Sequence, residues 1–295
     1  MNSGARRLRQ LINADDLLVL PGAFDAISAR LVEESGFDAV YFSGGLSASA
    51  YLALPDFGTR TLTEAAAQVG GAAAATSIPI LADGEAGFGT VLSVQRMVRE
   101  MERAGAAGVH IEDQAGARRC GHFAGKELVA VDEHAGRIRA AVAARNDPDF
   151  VIVARTDAIA IAGFDDAVAR SREYVAAGAD VIFVEAPETQ EQLRALPKLF
   201  SVPVLLNVVE GGKTPFLSVK EVASLGYAAV IYPCTTFFAS LFAMRRVLTE
   251  FRQTGTSEAC WNTMASFEEW QGLVGVSRAL AELESFGVAS PSVHL

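Results

Sequence analysis

Two acids close an apolar run at Glu112-Asp113, and a few residues on stand Arg118, Arg119, Cys120, Gly121 and His122. Fixed positive charge beside a thiol lowers its pKa and suits it to trade protons near neutrality. Cys120 is therefore a candidate catalytic acid, with His122 next to it. Cys234 and Cys260 lack basic neighbours and read as packing residues. The three cysteines are far apart with no Cys-x-x-Cys, which suggests neither a zinc site nor a disulfide framework. Further acids, Asp83, Glu85 and Glu185, also end short apolar runs. Brought together with Glu112, they repel one another unless a cation sits among them. An oxygen-rich, thiol-free set suits Mg²⁺, with Mn²⁺ as the substitute, better than zinc. Arg155 and Asn207 hold equivalent positions and can grip a carboxylate or oxyanion.

Positioning such groups requires several strand ends facing one cavity. Four stretches share a pattern: SGFDAVYFSG (35–44), AGAAGVHIED (104–113), AGADVIFVEA (177–186) and LGYAAVIYPC (225–234). Each has a glycine suited to ending a helix, then an apolar run without alternation, as expected of a strand buried on both faces. Runs at 17–20, 78–82, 150–154 and 202–206 complete eight candidate strands. Helical spacing lies between them: Val91, Val94, Val98 and Met101 before Gly105, and Phe164, Val168 and Val175 before Gly178. Eight strands alternating with helices predict a (β/α)8 TIM barrel over residues 1–254, with functional residues at the carboxyl ends of the strands. No Gly-x-Gly-x-x-Gly follows the first strand, which disfavours an open dinucleotide-binding sheet. Residues 255–295 read as a C-terminal helical extension with no strand of its own. Periodicity alone leaves open whether it packs on its own barrel or on another subunit.

The chain has 295 residues, half of them hydrophobic, and a net charge of −10. That balance and the lack of a basic stripe argue against nucleic acid. Polar residues interrupt every apolar run near the N-terminus, so neither a secretory segment nor a membrane span is expected. The expectation is a reduced, cytoplasmic protein acting on a small molecule.

In order along the chain, LPGAFDA (20–26), YFSGG (41–45), LPDFG (54–58), ADGEAGFG (82–89), IEDQ (111–114), RRCGH (118–122), ARTDA (154–158), LNVVEGGKTP (206–215) and IYP (231–233) resemble the isocitrate lyase and phosphoenolpyruvate mutase superfamily over nearly the whole barrel. The resemblance implies Mg²⁺ held by Asp83 and, through water, by Glu85 and Glu112. It implies catalytic roles for Cys120, Tyr41, His122, Arg155 and Glu185. It also implies substrate contacts from Ser43, Gly44, Gly45, Asp56, Arg118, Gly121, Asn207, Thr214 and Pro233. The Cys-Gly-His loop is similar to that of the branch that makes and breaks carbon–carbon bonds, and the short chain is most like the 2-methylisocitrate and 2,3-dimethylmalate lyases. In that family the C-terminal helix is exchanged between subunits, so the extension is expected to be exchanged within a homotetramer.

The implied reaction is Mg²⁺-dependent cleavage of a 2-hydroxy di- or tricarboxylic acid into a 2-oxo acid such as pyruvate and a carboxylic acid. Tyr41 or a carboxylate near the metal takes the hydroxyl proton, and Cys120 protonates the leaving carbanion. Two positions depart from the family pattern. Arg118 stands where lysine is usual, keeping the charge but unable to give up a proton. Glu85 replaces the second aspartate of an Asp-x-Asp motif. The alternatives are an oxaloacetate decarboxylase or hydrolase, disfavoured for the hydrolase by Pro233 where that branch carries serine; a phosphonopyruvate-type enzyme, disfavoured by Cys120; and a non-catalytic barrel that binds oxo acids.

Overall fold

Each apolar run read from the sequence forms a strand in the computed structural model, which describes residues 4–116, 118–119, 121 and 125–287. The strands are β1 (Leu18–Ala23), β2 (Val40–Phe42), β3 (Ile80–Asp83), β4 (Gly108–Glu112), β5 (Val151–Thr156), β6 (Val181–Val184), β7 (Val204–Asn207) and β8 (Ala229–Tyr232). All pair in parallel in sequence order, and β8 returns to β1 to close the barrel, with Leu18 opposite Ala229 and Pro21 opposite Tyr232. This is the (β/α)8 barrel expected.

The helices are α1 (Gly4–Ile12), α2 (Ala26–Glu34), α3 (Gly44–Leu52), α4 (Leu62–Ala75), α5 (Val91–Arg103), α6 (Val131–Ala144), α7 (Ile159–Ala162), α8 (Phe164–Ala176), α9 (Gln190–Ala195), α10 (Val219–Leu225), α11 (Thr235–Thr254), α12 (Phe267–Val274) and α13 (Val276–Ser285). Local chemistry sets their ends. Asp25 with Ser28, Thr61 with Glu64 and Ser218 with Glu221 form reciprocal capping boxes at the starts of α2, α4 and α10. Gly105 and Gly178 follow α5 and α8 at φ +97° and +101°, a left-handed conformation that glycine adopts without a Cβ penalty.

Side chains alternate along a strand, so each strand sends one set inward and one toward the helices. Val94, Met97, Val98 and Met101 of α5 meet the outward set, including Val109, Ile111, Ile152 and Ala154. The inward set holds Leu81, Val151, Val153, Val181, Phe183, Leu205 and Ile231. Leu8 and Ile12 of α1 join it beside Ala39, Ala107 and Ala229, all at or just before strand starts, so α1 covers the amino end of the barrel. Moving two residues toward the carboxyl end from each inward core residue reaches the opposite mouth. Leu81 leads to Asp83, Val153 to Arg155, Phe183 to Glu185, Leu205 to Asn207 and Ile231 to Pro233. The pleat that fills the barrel also aims the polar groups.

The chain divides into two compact units, Met1–Phe237 and Phe238–Leu295. In the second, a 3₁₀ turn at Glu258–Thr263 follows α11 and contains the buried Cys260. No residue of α11, α12 or α13 is buried. Phe242, Leu248, Trp261, Phe267 and Phe286 are all exposed. No helix among the described residues is long and apolar enough to cross a membrane.

At the closing seam of the barrel, a Cβ on Gly22 would lie 2.1 Å from the carbonyl oxygen of Pro233. Gly22→Ala should therefore cost about 1–3 kcal/mol by overpacking. Gly71→Ala, in helix α4 with nothing near the added methyl, should instead stabilise by about 1 kcal/mol. Thermal melts of the two variants check the pair; equal midpoints would contradict the seam contact.

Candidate active site

The mouth of the barrel gathers the acids and bases that the strand ends deliver. Asp83, Glu85, Glu112, Asp157 and Glu185 are buried, as are Arg60, Arg118, Lys126 and Arg155. Asp83 is held from several sides. Its Oδ2 accepts from the Gly44 amide at 3.1 Å and the Tyr41 hydroxyl at 3.4 Å. Its Oδ1 accepts from the Glu85 amide at 2.8 Å and lies 3.3 Å from His110 Nε2. Burial opposes its ionisation, but His110 and the guanidiniums of Arg118, Arg60 and Arg155 outweigh that and hold its carboxyl well below the usual range.

Tyr41 lies 2.9 Å from His110 Nε2, with the two rings stacked at 5.7 Å between centroids. Burial, then the charge of Asp83, pushes the Tyr41 phenol well above its ordinary value. It keeps its proton here and acts as a donor. Burial lowers His110 to about 4, leaving it neutral near pH 7.

Glycines make this packing possible. A Cβ on Gly44 would lie 2.6 Å from Asp83 Oδ2, and one on Gly45 would lie 2.5 Å from Asp56 Cγ. Ser43 caps α3 through the Leu46 amide. Glu85 adopts φ +50°, a left-handed conformation that costs a non-glycine residue about 1–3 kcal/mol and is typical of functional sites.

Arg118 reaches into the acids. Its Nε donates to Glu112 at 2.6 Å, its Nη1 pairs with Asp56, and it comes within 4.0 Å of Glu85. Arg155 is 3.0 Å from Asp157, 3.1 Å from Glu185 and 3.6 Å from Glu112, over the face of Phe183. Asn207 donates to Glu185 at 3.1 Å. Gly121 sits so close to this group that a Cβ would be 2.4 Å from Arg155 Nη2. Lys126 donates to the Gly121 carbonyl and to Asp157 at 2.7 Å. Thr214 is buried, and among the described residues its hydroxyl and Oδ1 of Asn207 have no hydrogen-bond partner. Pro233 is also buried. Cys120 and His122 lie outside the described residues.

Burial raises Glu85 to about 7, aided by Asp83 and opposed by Arg118 and Arg60. Burial also lifts Glu112 above the carboxylate range, against Arg118 and Arg155. Among the described residues no three Asp, Glu, His or Cys side chains are drawn together closely enough to chelate an ion as they stand; Arg118 binds several of the acids instead. The charge count nevertheless fits a divalent cation. Asp56, Asp83, Glu85, Glu112, Asp157 and Glu185 face Arg60, Arg118, Arg155 and Lys126, which leaves two negative charges in excess among the described residues when all are ionised. The donors are all oxygen, as Mg²⁺ and Mn²⁺ prefer.

Asp83, Glu85, Glu112, Arg155, Glu185 and Asn207 are expected at one mouth from their places after the apolar runs, and the structure brings them together. Arg60, Lys126 and His110 join them with no role foreshadowed in the sequence. Arg60, Glu85 and Arg118 line a cavity of about 520 Å³ together with Phe57, Phe88 and Arg96.

Residues 8–252 match the family model described as phosphoenolpyruvate phosphomutase. The chain is 39% identical to the 2,3-dimethylmalate lyase of Eubacterium barkeri over 94% of its own length and 96% of the relative's. It is 42% identical to the 2-methylisocitrate lyase of Aeropyrum pernix, covering 91% of this chain and 86% of the other. Its fold superposes on oxaloacetate acetylhydrolase in complex with 3,3-difluorooxalacetate with a TM-score of 0.93 and 33% identity, covering 98% and 99% of the two chains.

The raised Glu85 carboxyl has a consequence for stability. An acid with a folded pKa of about 7, against an ordinary 4.5, favours the folded state below the lower value and loses that contribution as pH rises through the upper one. Glu85→Gln cannot ionise. In metal-free buffer its melting temperature should gain on the parent's between about pH 5 and about pH 8. Melts across that range check it, and a flat difference counts against the shift.

Proposed function

The chain belongs to the phosphoenolpyruvate phosphomutase family, and from that premise we propose that it is a metal-dependent carbon–carbon lyase. Its substrate is a 2-hydroxy di- or tricarboxylic acid of the 2,3-dimethylmalate or 2-methylisocitrate type, and its products are a 2-oxo acid such as pyruvate and a carboxylic acid. The observation that carries this reading is the cluster of buried acids at the strand ends beside Arg155, Glu185 and Asn207. The identity with two lyases along nearly the whole chain supports it.

Asp83 would hold Mg²⁺ or Mn²⁺, with Glu85 and Glu112 acting through water. Bound there, the cation supplies a Lewis acid for the substrate's hydroxyl and carboxylate oxygens. The remaining work falls to the chain. The hydroxyl proton at C2 passes to a carboxylate of the cluster, Glu85 or Glu112, both buried at the same mouth. Tyr41, held protonated, donates a hydrogen bond to the same region. As the C2–C3 bond breaks, C2 becomes a carbonyl and the bonding pair remains on C3. The Cys120 thiol gives that carbon its proton. Arg155, with Asn207 and the unpartnered Thr214 hydroxyl, grips the substrate's carboxylates, and His122 stabilises charge beside the thiol. Ser43, Gly44, Gly45, Asp56, Arg118 and Gly121 complete the walls.

Oxaloacetate hydrolysis is the second reading, favoured by the structural likeness to the acetylhydrolase. Pro233 offers neither a hydroxyl nor an N–H at its strand end, which weakens that reading. Release of pyruvate from 2,3-dimethylmalate or 2-methylisocitrate, dependent on added Mg²⁺, tests the lyase; turnover of oxaloacetate alone would give the site to the hydrolase.

We further propose that the protein is a cytoplasmic homotetramer in which the C-terminal extension, residues 255–295, is exchanged between subunits. Helices α11 to α13 bury no residue. The barrel unit carries an apolar groove lined by Val19, Leu31, Val32, Phe216, Val219 and Tyr232. An apolar helix of a second copy's extension, α12 or α13, would cover such a groove.

Two outcomes are expected. Cys120→Ser should lower kcat by about 10²–10⁴ with KM little changed, while Cys234→Ser stays active; parental turnover by Cys120→Ser removes the thiol from the mechanism. Light scattering should give about four times the 31.1 kDa chain, and a mass of one chain would count against exchange.

A further inference from the structure

Arg60 follows the LPDFG segment and precedes α4, yet it is 3% exposed. Its guanidinium is fixed by groups from three elements. Nη1 donates to Ser47 Oγ of α3 at 2.7 Å and to Gln68 Oε1 of α4 at 3.1 Å. Nε donates to Glu85 Oε1 at 3.3 Å, and Nη2 lies 3.3 Å from the same oxygen. Among the described residues Nη2 makes no hydrogen bond. It lies 2.9 Å from where a Gly44 Cβ would stand, and Asp83 Oδ2 lies 2.6 Å from that point. A charged group that cannot lose its proton thus flanks the acid cluster on the side of Glu85.

The Glu85 backbone is equally fixed. Its amide donates to Asp83 and its carbonyl accepts from the Glu112 amide at 2.9 Å. Only the side chain can choose a direction, and its Oε1 turns to Arg60 while its Oε2 lies 4.0 Å from Arg118 Nη1. A glutamate reaches about 1.5 Å further than an aspartate, and here the extra length is used to meet the guanidinium.

We propose that Arg60 is a positioning residue that holds Glu85 back from direct contact with the cation and so sets how tightly the acid cluster binds it. This rests on the cation reading above. Glu85 then serves through water, and the direct contacts are left to Asp83 and the substrate. Without Arg60 the longer acid swings into the cluster and occupies a position the substrate needs.

The test reads Mn²⁺ binding to the full-length protein from the spectrum of free Mn²⁺ at about pH 8, without substrate. Arg60→Met should tighten Mn²⁺ by about fivefold or more and lower turnover. Adding Glu85→Gln should abolish that gain, because the acid that moved is gone. Arg60→Lys keeps a charged donor and should bind as the parent does. An Arg60→Met variant with parental or weaker Mn²⁺ affinity overturns the proposal. A gain that persists undiminished in the Glu85→Gln background also overturns it, since charge alone, without positioning, then accounts for the effect. If Arg60→Met does not fold, Arg60→Gln is read by the same criteria. A parental protein that binds no Mn²⁺ overturns the cation reading and this inference with it, whereas Mn²⁺ binding by the parent with no response to Arg60 overturns only the role of Arg60.

Discussion

Ion pairing among buried carboxylates and guanidiniums at the barrel mouth is the constraint on which the site depends. Burying a charge is expensive unless an opposite charge and hydrogen bonds accompany it. Asp83, Glu112, Asp157 and Glu185 are all buried, and each is met by a hydrogen-bond donor or a base. Arg155 touches three of those acids, and Arg118 ties Glu112 to Asp56. Because these two guanidiniums each serve several acids, the groups fix one another's positions. Among the described residues the acids of the mouth still outnumber its bases.

The backbone is shaped around this network. Gly44 and Gly45 leave the room that Asp83 and Asp56 fill, and Gly121 lies flat against Arg155 and Glu185. Glu85 takes a left-handed conformation to bring its amide onto Asp83. These local departures from easy geometry are supported by the tight barrel beneath, whose inner residues Leu81, Val153, Phe183 and Leu205 leave the strands little freedom.

Much of this was legible in the sequence, for a physical reason. Strands buried on both faces show as unbroken apolar runs, and polar residues at their carboxyl ends stand out against them. Asp83, Glu112, Arg155, Glu185 and Asn207 were found in that way. His110 and Asp157 carried the same cue, but no partner could be assigned to either without the fold. Arg60 carried no cue. It lies in a connecting segment just before a Thr61–Glu64 helix start, where an arginine ordinarily faces solvent, and only tertiary packing turns it inward. Lys126 was hidden for the same reason, within the loop after β4. The protonated state of Tyr41 could not be read either, since it depends on burial beside Asp83.

The pairing of β1 with β8 joins segments from opposite ends of the barrel sequence. During synthesis, β1 to β7 can assemble as a growing parallel sheet, but the seam stays open until residues near Ala229 have emerged. Until then the nascent sheet presents two unprotected edges, the feature most prone to wrong pairing with another chain. Closure is also the contact with the greatest loop entropy to overcome, so it is expected late and slow. The close Gly22–Pro233 approach at that seam is therefore among the last contacts expected to form.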